Sequence, residues 1–515
     1  MKTRCTILTV FGLVLAAGAD GATPLRGLVY DDANGNGRRD EGEAGIPGVG
    51  VSNGRAIVTT DAQGAYALEI EGDAVIFVVK PRDWSPPRDD RNRWRFYYVH
   101  RPGGSPAYKF PGVEPTGPLP ASLDFALRRS PEPDRFKMLL LGDTQPRDAR
   151  EVAFIARDIV ADLVGTDAAL GVALGDNTFD QHHLAPDLTA LLATVGCTWH
   201  YVAGNHDLNY DSPTDEGANE SFLRHYGPPY YAFNYGPVHF VVLENIHWHP
   251  AEGEKKAHYT SGLDPAQLEF LRNDLATVPK DRLVVLLMHI PLNELAQKAE
   301  VLKLLSDFPH TLSVAGHTHT IENLFFGEKD GWPRPEPHHH LIAGATCGSW
   351  WTGAPDELGI PHTTMADGAP NGWFVATFDG PRYSLAFRPA RRPADHQMNV
   401  YVPEVVSAPQ LAETEVVVNV FAGSSRSTVT LAVDDAPPVT LERFTGQDPA
   451  FLALKELEKG DKPPPGRKLP NSVKTSHLWR GTLPADLKPG TRVLTIATTD
   501  MFGQTFTARQ FVRVE

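Results

Sequence analysis

Apolar residues along this chain keep three different rhythms. Between about residues 24 and 130 they fall in short alternating stretches, such as Ala56-Ile57-Val58 and Ala65-Tyr66-Ala67-Leu68, separated by Gly, Asn and Asp. Period-two alternation cut by turn formers predicts half-buried strands in a small β domain, residues 23–130. The Pro-rich Arg129-Ser130-Pro131-Glu132-Pro133 reads as a linker. Beyond it strand and helix patterns alternate. Met138 to Leu141 predicts a buried strand, and Val152, Ile155, Ile159 and Leu163 recur at helical spacing. Gly171 to Leu174, His200 to Ala203, Val238 to Leu243 and Leu283 to Met288 are further strands, while Leu184, Leu188, Leu191 and Val195 mark a helix. Another helix opens at Asp264, with Pro265 first and Gln267 three residues on, and buries Leu268, Leu271 and Leu275. This alternation predicts an α/β domain over 135–390 with a largely buried sheet. From Trp373 strands return, Asp379-Gly380 turning a hairpin before Tyr383 to Phe387. Residues 395–515 show only strand patterns, Glu415 to Val420, Thr428 to Val433 and Val493 to Ala497 among them, and predict a C-terminal β-sandwich. Within it Lys459 to Pro470 is a loop with no assigned role.

Length and composition agree with this division. The 515 residues, 41% hydrophobic and 22% charged, suit about three domains. A net charge of -15 repels polyanions, so nucleic acid is not expected as a partner. At the start, Lys2 and Arg4 precede an apolar run from Thr6 to Leu15, and Ala17-Gly18-Ala19 follow. Residues 1–22 thus predict a secretory signal peptide, an exported chain in the periplasm or outside the cell, and no transmembrane anchor after cleavage. Of the cysteines only Cys197 and Cys347 remain in such a chain, too few for a disulfide framework though enough for one bridge.

Candidate chemistry lies in the middle domain. Five clusters follow apolar strands: Gly142-Asp143-Thr144-Gln145, Gly175-Asp176-Asn177, Gly204-Asn205-His206-Asp207, Met288-His289-Ile290-Pro291 and Gly316-His317-Thr318-His319. The carboxyl ends of sheet strands form a crevice where ligands bind. Alternate side chains of an extended segment share a face, so Asp143 is expected to pair with Gln145 and His317 with His319. The preceding glycines are expected to permit tight turns. Carboxylate, amide oxygen and imidazole without thiolate suit borderline or hard divalent ions, and the set is too large for a single tetrahedral zinc. Two ions sharing a carboxylate, an arrangement that activates water and clamps a phosphoryl group, fit it better.

These clusters, as D-x-[HQ], GD, GNH[DE], H and GHxH, resemble the signature of the calcineurin-like metallophosphoesterase superfamily over about half of the chain. The resemblance implies a central four-layer α/β/β/α sandwich, so the whole is a multidomain α/β plus all-β protein with β-sandwich domains on either side. It implies one metal held by Asp143, Gln145, Asp176 and His319 and another by Asp176, Asn205, His289 and His317, with Asp176 bridging. It further implies attack by a metal-bound hydroxide, with His206 protonating the leaving oxygen and Asp180 as candidate orienting carboxylate. Asp180 departs from the usual spacing, and a plain surface Asp is the other reading. Gln145 stands where many members carry His, which leaves manganese, iron, zinc and magnesium all open.

Nearby candidates for substrate contact are Arg147, as a phosphate grip or in an ion pair with Asp148, His247 and His249, and Trp350-Trp351, as a stacking surface or as core. His338-His339-His340 reads as a polar loop, with adventitious metal binding as the other reading. At the N-terminus Asp32, Asn34, Asn36, Arg38, Asp40 and Glu43, with Gly37, match a calcium loop at every position. No helical pattern flanks it, and the stretch Gly27 to Leu68 resembles calcium-binding B-type adhesin repeats, which implies a structural calcium; a plain Asx-rich turn is the alternative. The function expected is an exported two-metal phosphoesterase acting on a phosphorylated metabolite, lipid or glycan. Its competitor is a non-catalytic surface or glycan-binding protein that uses the fold as a scaffold. Loops 208–235, 246–262 and 327–340 are expected to shape the pocket.

Overall fold

A computed structural model of the chain describes residues 22–515, so the expected signal peptide lies, but for its last residue, outside the described residues. Among the described residues no helix is long and apolar enough to cross a membrane.

The N-terminal part folds as two four-stranded sheets. One runs Ala65–Ile70, Thr23–Asp31, Phe125–Arg129, Trp84–Ser85, and the other Ile57–Thr59, Gly50–Ser52, Ala74–Val79, Tyr97–His100. Along Ala65–Ile70 the alternation reads directly as burial, with Tyr66, Leu68 and Ile70 inside and Ala67 and Glu69 outside. Val29, Val51, Ile76, Val78 and Leu127 share the core between the sheets. Phe77, Trp94 and Phe96 instead join the core of the middle domain, where Phe77 meets Phe270 edge-on at 5.5 Å between ring centroids. Buried Lys80 pairs there with Glu132 at 2.5 Å and donates to the Asn234 carbonyl at 2.8 Å, so the two parts are locked by a polar contact as well as an apolar one.

Two mixed sheets build the middle domain. In the first, Thr198–Tyr201, Leu170–Ala173 and Arg135–Leu141 run parallel, and Gly372–Asp379 and Arg382–Pro389 follow antiparallel. In the second, Val238–Val242, Leu283–Leu287, His310–Ala315 and His338–Ala343 run parallel, with Tyr231–Tyr235 and Ile321–Phe326 as antiparallel edges. Every residue of Leu283–Leu287 is buried, which is why its sequence is an unbroken apolar run. Phe136 and Phe378 of the first sheet meet Phe240 of the second at 6.3 and 5.5 Å. Helices add Phe154, Ile155, Ile159, Leu188, Phe270 and Leu302 to this one core. The helix begun at Ala149 is capped by Asp148, which accepts from Glu151 N at 2.9 Å, and passes through one wider turn at Ala156–Val160.

The C-terminal part has a four-stranded and a five-stranded sheet around Val416, Val418, Leu431, Trp479, Leu494 and Ile496. Two expectations need correction. Residues 395–515 are not all strand: Pro449–Leu457 is a helix, capped by Asp448 accepting from Phe451 N at 2.8 Å, and Phe451 docks on Ala366 and Leu469. Its Asp-Pro start signature is the same as that at Asp264 and was outweighed by the surrounding alternation. His338–His340 are not a polar loop but a buried strand. His338 bonds Thr311 at 2.7 Å and Ser313 at 2.8 Å, His339 bonds Tyr383 and Asn323 at 2.9 Å each, and His340 bonds Ser313 at 2.7 Å. Their partners come from other strands and from the adjoining hairpin, which local sequence does not reveal. The pairing of Cys197 and Cys347, open on the sequence, is absent: both are buried and free.

Candidate metal centre

The parallel strands end at Leu141, Ala173, Tyr201, Leu287 and Ala315. Asp143, Asp176, Asn205, His289 and His317 follow within a few residues, so strand geometry delivers them to one crevice from two sheets. Asp176, His289 and His317 offer ligand atoms all within 4.8 Å of one another. His289 Nε2 lies 3.2 Å from Asp176 Oδ1, 3.2 Å from Asn205 Oδ1 and 3.2 Å from His317 Nδ1. Asp176 Oδ2 accepts from Gln145 Nε2 at 2.6 Å, and His319 Nε2 lies 3.5 Å from Asp143 Oδ1. Each of the residues expected at the two metals is therefore in this cluster.

The pairing does not arise from strand alternation, however. Asp143, Gln145, Asp176, His317 and His319 have φ of 38°, 35°, 50°, 73° and 55°. They occupy the left-handed region, which costs an L-residue roughly 1–2 kcal/mol. Turns past the strand ends, not extended backbone, bring the neighbouring ligands together, and such strain persists only where surroundings over-determine it. The glycines also act differently from expectation. Of those preceding the clusters, Gly175 has positive φ, at 93°. Gly142, Gly204 and Gly316 provide space instead: an added Cβ would fall 2.0 Å from the Gly344 carbonyl oxygen, 2.0 Å from Asp176 N and 2.4 Å from Asp143 Oδ2.

Backbone carbonyls fix the imidazoles. His289 Nδ1 lies 2.8 Å from the Leu174 carbonyl and His319 Nδ1 bonds the Gly348 carbonyl, so in both rings Nε2 is the nitrogen turned to the centre. Burial opposes charge on Asp176, but His289 and His206 outweigh it and hold its carboxyl well below the usual range. The ionic partners of Asp143 and Asp176 are histidines, and no Lys or Arg among the described residues pairs with either. Two buried carboxylates with three imidazoles and two amides, and no Lys or Arg to balance them, fit divalent metal ions.

The Gly-Asn-His-Asp cluster sends its side chains three ways. Asn205 faces the centre. Asp207 points inward and accepts from Gly204 N at 2.9 Å and Asn177 Nδ2 at 2.9 Å, and burial followed by the Asp176 charge pushes its pKa up to about 7. His206 is held at Nδ1 by Asp180 Oδ1, 2.6 Å away, while its backbone N donates to Asp176 Oδ1 at 2.8 Å. Burial opposes the charge on this imidazole, yet Asp180 and Asp176 prevail and raise its pKa.

Arg147 does not pair with Asp148. Its guanidinium donates to the Trp350 carbonyl at 2.8 Å, approaches buried Glu151 at 3.8 Å and lies 4.3 Å over the Phe179 ring, which stacks in turn on His206 at 4.3 Å. Trp350 stacks on His319 at 4.2 Å, whereas Trp351 is core. His247 pairs with Asp215 rather than with the centre.

Several residues escaped the sequence reading. Tyr259 stands 6.2 Å from His317, edge to face, at the mouth of the centre. Tyr210 stacks on Trp248 at 5.3 Å, and its hydroxyl pKa is raised by burial and then by Asp180 and Asp176. Cys347 Sγ lies 3.6 Å from Gln145 Oε1. Arg467, from the loop with no assigned role, pairs with Glu151 and donates to the Trp350 and Trp351 carbonyls at 3.1 Å each. Tyr210 lies four residues past His206, which is a weak signal; Arg467 is 316 residues from Glu151 and carried none. A cavity of about 590 Å³ opens away from this cluster, at the seam with the N-terminal part, lined among others by Asp73, Arg101, Glu220 and Glu244. None of the residues of the cluster lines it.

In the N-terminal loop Asp32 accepts from Asn36 N at 3.0 Å and Gly37 N at 2.9 Å, and Asn36 Oδ1 accepts from Arg38 N at 2.8 Å. Asp40 accepts from Asn34 and Asn36 amides at 2.6 and 2.7 Å, and Glu43 Oε2 accepts from Asp40 N at 3.0 Å, leaving Oε1 buried without a partner.

Three family models match the chain: N terminal of calcineurin-like phosphoesterase over 33–113, calcineurin-like phosphoesterase over 136–320, and C terminal of calcineurin-like phosphoesterase over 340–506. No curated protein matches it. Among solved structures, a purple acid phosphatase from seeds of yellow lupin (Lupinus luteus) is similar with a TM-score of 0.37 and 12% identity, over 72% of this chain and 67% of that one.

Proposed function

We propose, for a chain that carries the N-terminal, catalytic and C-terminal domains of calcineurin-like phosphoesterases and is a metal-dependent phosphoric ester hydrolase, an exported two-metal enzyme acting on monoesters or diesters of an extracytoplasmic metabolite, lipid or glycan. The observation that carries the reading is the His206–Asp180 pair beside the cluster of Asp176, His289 and His317. Asp143, Gln145, Asp176 and His319 would hold one ion, and Asp176, Asn205, His289 and His317 the other. Divalent ions there supply positive charge for the phosphate oxygens and acidify water near neutral pH.

The chain's own residues do the rest. Asp180 holds His206 Nδ1, so Nε2 is the atom that delivers a proton to the departing ester oxygen. Phe179 fixes the imidazole plane from one side, and Arg147, stacked on the far face of Phe179, offers charge to a phosphate oxygen or to a second anionic group. Trp350, Tyr210 and Tyr259 form walls on which a ring of the substrate could stack. The domains are taken as 23–130, 135–390 and 395–515, with the two central sheets and their helices as a four-layer sandwich. Export rests on the pattern of residues 1–22.

The deciding experiment uses metal-stripped protein with para-nitrophenyl phosphate and bis-para-nitrophenyl phosphate, and manganese, magnesium, zinc or iron added back. Turnover that needs metal and His206 supports the reading, and the better-cleaved compound separates monoester from diester chemistry. A calcium in the N-terminal loop is proposed as well, supported by the unpartnered Glu43 oxygen. A rise in unfolding temperature with millimolar calcium, abolished by Asp32→Ala, is its test.

A further inference from the structure

We propose a third metal site, outside the catalytic centre, in which His247, His249 and His258 on the ribbon Ile246–His249 and His258–Ser261 bind a borderline divalent cation such as zinc or nickel. The ribbon is a two-stranded sheet joined to no other strand. Such a ribbon is marginally stable alone. Its register sets His249 opposite His258 and His247 opposite Thr260. Residues two apart on one strand share a face, and so do directly opposed cross-strand partners, so the three imidazoles project from one side. Ring centroids of His247 and His249 are 4.7 Å apart and those of His249 and His258 4.6 Å.

His249 stands between the other two, and the rings of His247 and His258 turn towards it when an ion is bound. Asp215 Oδ2 lies 2.8 Å from His247 Nδ1, the carboxylate contact that leaves Nε2 as the outward ligand atom. Asp215 is itself fixed by the backbone N of Trp248. His249 Nε2 bonds Thr260 Oγ1 at 2.8 Å, a contact that an exposed ring can exchange for an ion. Three imidazoles on a strand pair, with the fourth position left to water, suit zinc or nickel and not calcium or magnesium.

The site's position gives it a consequence. The opposite face of the ribbon carries Trp248, which donates to the Ser212 carbonyl at 3.0 Å, and Tyr259, which faces His317. An ion bridging His249 and His258 ties the two strands together and steadies Tyr259 over the metal centre.

The test compares three full-length proteins, wild type, His249→Ala/His258→Ala and Asp176→Ala, dialysed against zinc with a weak chelating buffer and then assayed for bound zinc. The ribbon variant should retain one equivalent fewer than wild type, and Asp176→Ala, altered only at the catalytic centre, should keep the ribbon equivalent. Amide exchange over 246–249 and 258–261 should slow several-fold when zinc is added to Asp176→Ala. Both exchanged histidines are at least partly solvent-exposed, and an unchanged unfolding temperature would certify the fold. Equal zinc content in wild type and ribbon variant, or no slowing of exchange in Asp176→Ala, overturns the proposal without touching the catalytic reading.

Discussion

His206 is keyed to two carboxylates at once: its ring Nδ1 lies 2.6 Å from Asp180 Oδ1, and its backbone N donates to Asp176 Oδ1 at 2.8 Å. One contact sets the direction of the imidazole and the other ties it to the metal-ligand network. Asp180→Asn keeps the shape but loses the charge that orients and raises His206. It is expected to lower kcat by about 10–100-fold with little change in KM, measured by steady-state kinetics on an aryl phosphate. Unchanged kcat would return Asp180 to the status of a surface residue.

Asp176 is the carboxylate shared by His289, Gln145 and His206. In Asp176→Ala the catalytic centre is expected to lose bound metal, and kcat to fall by at least about 10³-fold, since charge stabilisation at the phosphoryl group is the largest contribution to such a reaction. Metal analysis together with kinetics checks both. Full metal content in this variant would show that the ligand assignment is wrong.

Glycine at 316 is required by Asp143. A Cβ there would fall 2.4 Å from Asp143 Oδ2, and this carboxylate also accepts from His317 N at 2.9 Å. Gly316→Ala is therefore expected to destabilise the fold by about 1–3 kcal/mol and to loosen the metal centre. Gly37→Ala, where no atom lies within 4 Å of the added Cβ, strains only the backbone at φ of 71°. Denaturant unfolding and metal titration of the two variants separate crowding from backbone strain.

Arg467 couples the C-terminal part to the catalytic rim through Glu151 and the carbonyls of Trp350 and Trp351. Arg467→Ala leaves Glu151 buried beside Arg147 alone, removes the bond to the Trp351 carbonyl and leaves the Trp350 carbonyl to Arg147. KM should rise several-fold while kcat changes less, because the contact positions the mouth rather than the proton donor. Equal kinetics in variant and wild type would confine Arg467 to the surface.

Acid should unfold this protein through buried histidines. Burial pushes His200, His338 and His339 down to about 3. Their unfolded forms titrate near 6.5. Because the folded values are lower, the unfolded state binds more protons between those limits, so stability is complete above about 6.5 and lost as pH falls toward 3. The slope is about 1.4 kcal/mol per pH unit for each histidine. Unfolding free energy measured from pH 8 to 4 should fall accordingly, and His339→Gln should flatten the fall if it keeps the bonds to Tyr383 and Asn323. A pH-independent stability over that range contradicts this account.

Much of the fold was legible because it repeats locally. Leu283–Leu287 is an apolar run because both of its faces are covered, and Tyr66, Leu68 and Ile70 alternate because one face is. The candidate site was legible for a similar reason: Asp143, Asp176, Asn205, His289 and His317 each follow the end of a parallel strand, and the parallel strands of the two sheets carry them to one crevice. What the linear pattern could not show was the backbone at those positions. Asp143 and Gln145 look like alternate residues of a strand, yet both have positive φ, and the loops are held by bonds to Asp176, Cys347 and His317 from distant segments.

The sequence by itself determined which side chains are available: carboxylates, amides and imidazoles of the kinds that suit a metal centre, the imidazole of His206, and the sheets that carry them, since side-chain type and periodicity are local properties. Only the tertiary structure decided how that chemistry is arranged. Asp180 meets His206, His338–His340 enter the core, Tyr259 reaches the mouth, and Arg467 crosses 316 residues to Glu151. Each of these contacts depends on where separate elements pack, and packing is set by the whole apolar core rather than by any neighbourhood along the chain.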